Sequence, residues 1–225
     1  MSSNGVAGSN GRALFVVARR PEPGKVKTRL AAGIGPSAAC RLYAAFLEDI
    51  STEFATAPYA FAFAVAPSES NFGFFGNDTF PQVGKSFNDR LLNIFKKKAS
   101  LFPKGILIMG SDSPQVPAAW IENGFAMLDK SDVVLGPSED GGYWIIGLKH
   151  PHDIFSGITM STQYVYAQTC AKAQSLNLQV GRLPETFDID TAEDLDRLRI
   201  HLESSPIDQC AATRRVLDTL VRVRR

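Results

Sequence analysis

Apolar runs and polar breaks alternate along the chain with the rhythm of strands and helices. Ala13 to Ala18 is an apolar, largely β-favouring run closed by a turn rich in Arg, Pro and Gly, which predicts a first strand and its loop. Ser37 to Thr56 carries Ala, Leu, Phe and Ile at helical spacing and predicts a long helix. Tyr59 to Val65 alternates large and small residues as a strand does, and Phe80 to Val83 suggests a short one. Gly84 to Leu91 opens an amphipathic helix that runs through Leu92, Ile94, Phe95 and Lys96 to Lys98, with Ser86 or Asn88 as its cap. Gly105 to Met109 is a short apolar run bounded by turn formers, the pattern of a strand buried on both faces. Val116 to Lys130 then predicts a helix turning Trp120, Ile121, Phe125, Met127 and Leu128 inward. Asp132 to Leu148 reads as strand, loop and strand, Ser161 to Ser175 as a helix, and Leu176 to Val180 as a strand. Thr186 to Asp190 reads as a short strand entering a helix that Thr191 caps, with Asp194 in a loose capping-box position. The class is α/β.

Composition narrows this picture. With 225 residues, 44% hydrophobic and 21% charged, the chain can bury a full core, and its length suits one domain, residues 12–225. Residues 1–11 are small and polar and are expected to form a disordered leader, without the apolar centre of a signal peptide. No stretch is long enough and apolar enough to span a bilayer. Twenty-four basic against twenty-three acidic residues give a net charge of +1, which argues against a general nucleic-acid surface. The basic tail from Arg214 to Arg225 reads as a solvated helix end. Three cysteines without CxxC spacing indicate neither a disulfide framework nor a zinc site, and point to a reducing, cytoplasmic setting. Phe72, Phe74 and Phe75 read as core or loop anchors rather than a stacking platform.

The candidate chemistry sits where strands end. Asp112, in Gly110-Ser-Asp-Ser-Pro114, follows the buried strand, where ligands gather in open α/β sheets; it also suits the capping of the next helix, and the segment alone leaves both readings open. Arg19 to Leu30 places Arg19, Arg20, Lys25, Lys27 and Arg29 after the first strand, with Pro21, Pro23 and Gly24 shaping the backbone, a set suited to phosphate oxygens or to a solvated surface. Gly84 and Arg90 are candidates for nucleotide contact. Asp140-Gly141-Gly142, followed by Tyr143-Trp144, either lets a ligand approach the backbone or makes a simple hairpin turn. Asp188 and Asp190 alternate on one face of the short strand. Asp112, Asp188 and Asp190 supply oxygen ligands for a hard cation, while His150, His152 and His201 lack zinc spacing.

The succession PGKVKTRL, GSDSP, EDGGYWIIGL and DIDTAEDL resembles the DUF2064 family of glycosyltransferase-A (GT-A) type, whose members are often labelled arsenosugar-biosynthesis glycosyltransferases. The resemblance runs from about Leu14 to Leu198. It implies a nucleotide-diphospho-sugar transferase fold, a three-layer α/β/α sandwich with a mostly parallel mixed sheet. It also implies a glycosyltransferase taking a nucleotide-diphospho-sugar to a small acceptor with Mg²⁺ or Mn²⁺. Carried over by position, Lys25, Lys27 and Arg29 would meet phosphates, and Asp112 and Asp190 would be the metal ligands. Asp140, Gly141 and Gly142 would face sugar or acceptor beside Tyr143, which makes Asp112, Asp140 and Asp190 the catalytic candidates. Two departures from the family pattern, Arg19-Arg20 for Lys-Ala and Phe87-Asn88 for Leu-Gly, bear on nucleotide contact. KTRL and DIDT also resemble phospholactate guanylyltransferases, and the Asp-x-Pro element resembles molybdenum-cofactor nucleotidyltransferases. Nucleotidyl transfer from a nucleoside triphosphate is thus a second expectation, and a non-catalytic nucleotide-binding module a third.

Overall fold

A computed structural model describes residues 10–67 and 77–223, the last three by backbone alone. Seven strands and seven helices follow one another among these residues. The strands are β1 (Arg12–Arg19), β2 (Ala60–Ala66), β3 (Asp78–Pro81), β4 (Gly105–Gly110), β5 (Val133–Pro137), β6 (Tyr143–Leu148) and β7 (Val180–Arg182). The helices are α1 (Thr28–Ile34), α2 (Pro36–Phe54), α3 (Phe87–Lys98), α4 (Ala118–Leu128), α5 (Val165–Ser175), α6 (Ala192–Glu203) and α7 (Ala211–Val223).

One sheet carries the strands in the order β3-β2-β1-β4-β6-β5-β7. Every neighbouring pair is parallel except β4–β6 and β5–β6, so β6 alone runs against the rest. The register sets Ala13 beside Ala60 on one side and Ile106 on the other. Because consecutive strand residues point to opposite faces, the unbroken apolar runs of β1 and β4 feed two cores at once. On one face Leu14, Val16, Leu107 and Met109 pack with residues of α1, α2, α4, α6 and α7. On the other Ala13, Phe15, Ile106 and Ile108 pack with Leu91, Ile94 and Phe95 of α3 and Ala173 of α5. The result is a three-layer α/β/α sandwich with a mostly parallel mixed sheet.

Local chemistry sets the helix starts. Pro36 stands at the first position of α2, where its missing N–H is no loss. Ser86 and Asp89 form a reciprocal capping box on α3, and Thr191 and Asp194 do the same on α6. Asn88 is not the cap; its amide instead donates to the carbonyls of Phe155 and Ile158.

Several expectations need correction. Thr186 to Asp190 is not a strand: it makes a single bridge, Ser138 to Thr186. Its backbone groups are met elsewhere, Phe187 O by the Gln115 amide, Ile189 N by Asp112 O and Asp190 N by the Asp194 carboxylate, which leaves no ladder to form. The strand expected at 176–180 is β7, which starts only at Val180, the last residue of that stretch, and runs to Arg182. Asn10 and Gly11, assigned to the leader, form a turn whose Gly11 carbonyl accepts from Lys104 N, while residues 1–9 lie outside the described residues, as do Phe72, Phe74 and Phe75. The two strands flanking Asp140 to Gly142 do form an antiparallel hairpin. No described helix is long and apolar enough to cross a membrane.

Candidate functional site

Three parallel strands, β1, β2 and β4, end at Arg19, Ala66 and Gly110 on one edge of the sheet, and antiparallel β6 begins on the same edge at Tyr143. Loops diverging from these ends leave a cleft of about 620 Å³ that all four residues line, a volume suited to a nucleotide-sized ligand. The β1 loop forms one wall with Arg19, Lys25, Lys27 and Arg29. Asp112, Asp188 and Asp190 are gathered on the cleft as well, and Gln82, Arg90 and Tyr143 complete it.

Lys27, one of the five cations of this loop, is on neither a solvated surface nor an open phosphate site. This residue takes the left-handed N-cap position of α1, with φ 49° and ψ 45°. Its side chain is only 4% exposed and its ammonium touches three oxygens: Asp112 Oδ1 at 2.5 Å, Ile189 O at 2.8 Å and Asp190 Oδ1 at 3.1 Å. Burial acts to lower its pKa, but the charges of Asp112 and Asp190 and their hydrogen bonds outweigh this, so the ammonium is held above its ordinary value. Arg29 bonds the other oxygen of Asp190. Lys25, by contrast, is exposed and pairs with Glu22 at 2.6 Å.

Asp188, named in the sequence for its oxygen ligands, is the most enclosed carboxylate on the cleft. Ser113 and Ser138 hydroxyls donate to its two oxygens at 2.5 and 3.0 Å. Burial, reinforced by the charges of Asp112 and Asp140, pushes its pKa up to about 6 against the lowering effect of those hydroxyls. Two groups escaped sequence reading. Tyr43, on a helix assigned no chemistry, accepts from Arg19 N and shares a hydrogen bond with Ser111, tying the end of β1 to the loop after β4; burial raises its pKa to about 12. Gln82 is buried with its amide donating to Ala18 and Ala64 carbonyls at 3.3 and 2.8 Å, so it faces the cleft with its position fixed. No local spacing marks either residue; only the sheet brings them there.

The remaining expected site residues divide. Arg90, beside the Phe87 ring, and Tyr143 line the cleft, and buried atoms of both, Arg90 Nε and Tyr143 Oη, are without hydrogen-bond partners among the described residues. Gly84, Asp140, Gly141 and Gly142 are not cleft-lining residues. Gly84 packs on the first turn of α3, where an added Cβ would lie 2.7 Å from Arg90 N. Asp140 Oδ1 accepts from Gly142 N within the hairpin turn, and Gly141 packs against the backbone of Gln163.

A divalent ion bridging Asp112 and Asp190 was the sequence expectation, and the residues do not fit it as they stand. The facing oxygens of the two carboxylates already share the Lys27 ammonium, and Arg29 holds the second oxygen of Asp190. Among the described residues, no three His, Cys, Asp or Glu side chains converge as a metal centre.

With this geometry defined, similarity to other proteins becomes informative. The model of the family DUF2064, described as an uncharacterized protein conserved in bacteria, matches residues 61–162. The crystal structure of a candidate nucleotide-diphospho-sugar transferase from Desulfovibrio desulfuricans G20 is 28% identical, covers 95% of this chain and 97% of its own, and superposes with a TM-score of 0.87. A cytidylyltransferase from Leptospira borgpetersenii serovar Hardjo-bovis is 12% identical, with 93% and 94% of the two chains covered and a TM-score of 0.56. The 4-diphosphocytidyl-2C-methyl-D-erythritol synthase of Anaerococcus prevotii DSM 20548 is 8% identical, with 85% and 98% covered and a TM-score of 0.53; at such identities the likeness is one of fold. No sequence among curated proteins matches. The fold is therefore of the nucleotide-diphospho-sugar transferase type, and the family match together with the Desulfovibrio structure supports the resemblance to DUF2064.

Proposed function

We propose that this protein is a transferase acting from a nucleotide-activated donor, most specifically a glycosyltransferase that passes a sugar from a nucleotide diphosphate to a small acceptor. The observation that carries the reading is the cleft itself, in which the cationic β1 loop and the carboxylates after β4 meet at the carboxyl ends of parallel strands. The similarity to a candidate nucleotide-diphospho-sugar transferase supports it. Breaking a sugar–diphosphate bond builds negative charge on the leaving oxygens, and preorganised cations beside them lower that barrier. Arg19, Lys25 and Arg29 are the cations on the cleft whose side chains are not enclosed. Asp112 is 42% exposed, and with Lys27 on Oδ1 its Oδ2 is the oxygen left to orient an acceptor hydroxyl. Arg90 and Tyr143, which also line the cleft, are the further side chains available to sugar or base.

Nucleotidyl transfer is the second reading, because the same row of cations also suits a triphosphate. Thermal-shift screening of nucleotide-sugars against nucleoside triphosphates separates the two, followed by identification of the released product. A stabilising nucleotide-sugar with release of a nucleoside diphosphate establishes glycosyl transfer; a preferred triphosphate with release of pyrophosphate establishes nucleotidyl transfer. A protein stabilised by neither class would end both readings.

A further inference from the structure

We propose that the Lys27 ammonium takes the place of a bridging metal ion between Asp112 and Asp190, so that Asp190 positions Lys27 and the two carboxylates become a metal pair only when Lys27 is removed. An ammonium has three N–H donors, and Lys27 has three acceptors: Asp112 Oδ1, Ile189 O and Asp190 Oδ1. Its donor capacity is filled inside the protein, which leaves no proton free for a phosphate. Asp190 is equally engaged, one oxygen by Lys27 and the other by Arg29, so a metal ion brought to it would stand against two positive charges already in contact.

The arrangement is built into the backbone. Ile189 N donates to Asp112 O at 2.9 Å, pinning the segment before α6 to the loop after β4 and fixing how far apart the two carboxylates stand. Two carboxylates held this close need a cation between them. Lys27 enters from the third side, at the left-handed residue before α1, so that Asp112, Asp190 and the α1 N-terminus are joined through one charge. The Phe46 ring, with its centroid 5.8 Å from the ammonium, and the two carboxylates favour the charged form of Lys27 at this position. The inference concerns the same cleft as the transferase reading, but its test uses no nucleotide. Either one therefore fails without the other.

The test compares wild type with Lys27→Met, Asp190→Asn and the double variant, counting bound Mn²⁺ by electron paramagnetic resonance and following thermal unfolding. Lys27→Met is expected to unfold at lower temperature than wild type and to bind one Mn²⁺ at least about tenfold more tightly, a gain that the double variant loses. Asp190→Asn alone is expected to lower the unfolding temperature while leaving Mn²⁺ affinity within about threefold of wild type. No gain of affinity in Lys27→Met overturns the proposal. So does a loss of about tenfold or more in Asp190→Asn, and that arm decides the matter should Lys27→Met not fold.

Discussion

Two lysines in one loop show how little a charge alone determines. Lys25 is 74% exposed and its partner Glu22 is also on the surface, a pairing of small net worth. Lys25→Ala is thus expected to change stability by less than about 0.5 kcal/mol while weakening nucleotide affinity several-fold, as denaturation and calorimetric titration would show. Lys27→Ala removes the one cation that, among the described residues, is common to Asp112 and Asp190, leaves the Ile189 carbonyl without its donor, and is expected to destabilise by about 1–3 kcal/mol. Unchanged stability in Lys27→Ala would contradict the buried ion-pair geometry. Asp188 gives a prediction of opposite kind. Its pKa is raised by burial from 3.8 to about 6, so the folded protein favours its protonated form. The associated stability is complete below about pH 4 and is lost as pH rises through about 6. Asp188→Asn, which cannot ionise, is expected to gain on wild type by about 2–3 kcal/mol between pH 4 and pH 7.5, read from urea midpoints at each pH. A stability difference that stays flat across that range would show that Asp188 titrates normally.

At the scale of elements, the β5–β6 hairpin separates two adjacent glycines that look alike in sequence. Gly141 has φ +86°, and an added Cβ would lie 2.1 Å from Gln163 O, a collision with backbone that cannot rotate away. Its carbonyl also accepts from Tyr166 N, so this residue docks the hairpin onto the start of α5. At Gly142 an added Cβ meets only the Asp140 carboxylate at 3.0 Å, which can swing. Gly141→Ala is expected to destabilise by about 2–4 kcal/mol and Gly142→Ala by less than about 1 kcal/mol, with thermal denaturation as the check. The reverse order would show that the hairpin docks differently. The strands and helices were largely legible because each has its own period: the apolar runs of β1 and β4, the alternation in β2 and the stripe of α3 are local signals. Thr186 to Asp190 misled for a physical reason. Alternating Phe187, Ile189 and acidic neighbours imitate a half-buried strand, but its backbone partners are the side chains of Gln115 and Asp194 and the loop at Asp112, none of them nearby in sequence except Asp194.

For the whole molecule, the sheet order decides what the cleft can contain. Only the adjacency of β1 to both β2 and β4 brings the basic loop, Gln82 and Asp112 together, and such neighbours, separated by tens of residues, have no local trace in sequence. The junction of α2 and α7 is arranged differently. There α7 packs on α2, and the buried carboxylate of Asp49 on α2 accepts from the first free amides of α7, Ala212 N at 2.7 Å and Thr213 N at 2.8 Å. Burial raises the pKa of Asp49, while these same bonds work to lower it. Helix-terminal amides are otherwise unpaired, so this one side chain both satisfies them and joins the last helix to the core. Removing it strands two buried N–H donors. Asp49→Ala is therefore expected to destabilise by about 2–3 kcal/mol, lowering the urea midpoint without changing the slope of the transition. None of Asp49, Ala212 and Thr213 lines the cleft, so nucleotide affinity should stay within about twofold of wild type. A fall in affinity parallel to the fall in stability would show that α7 supports the cleft through α2, which also carries Tyr43.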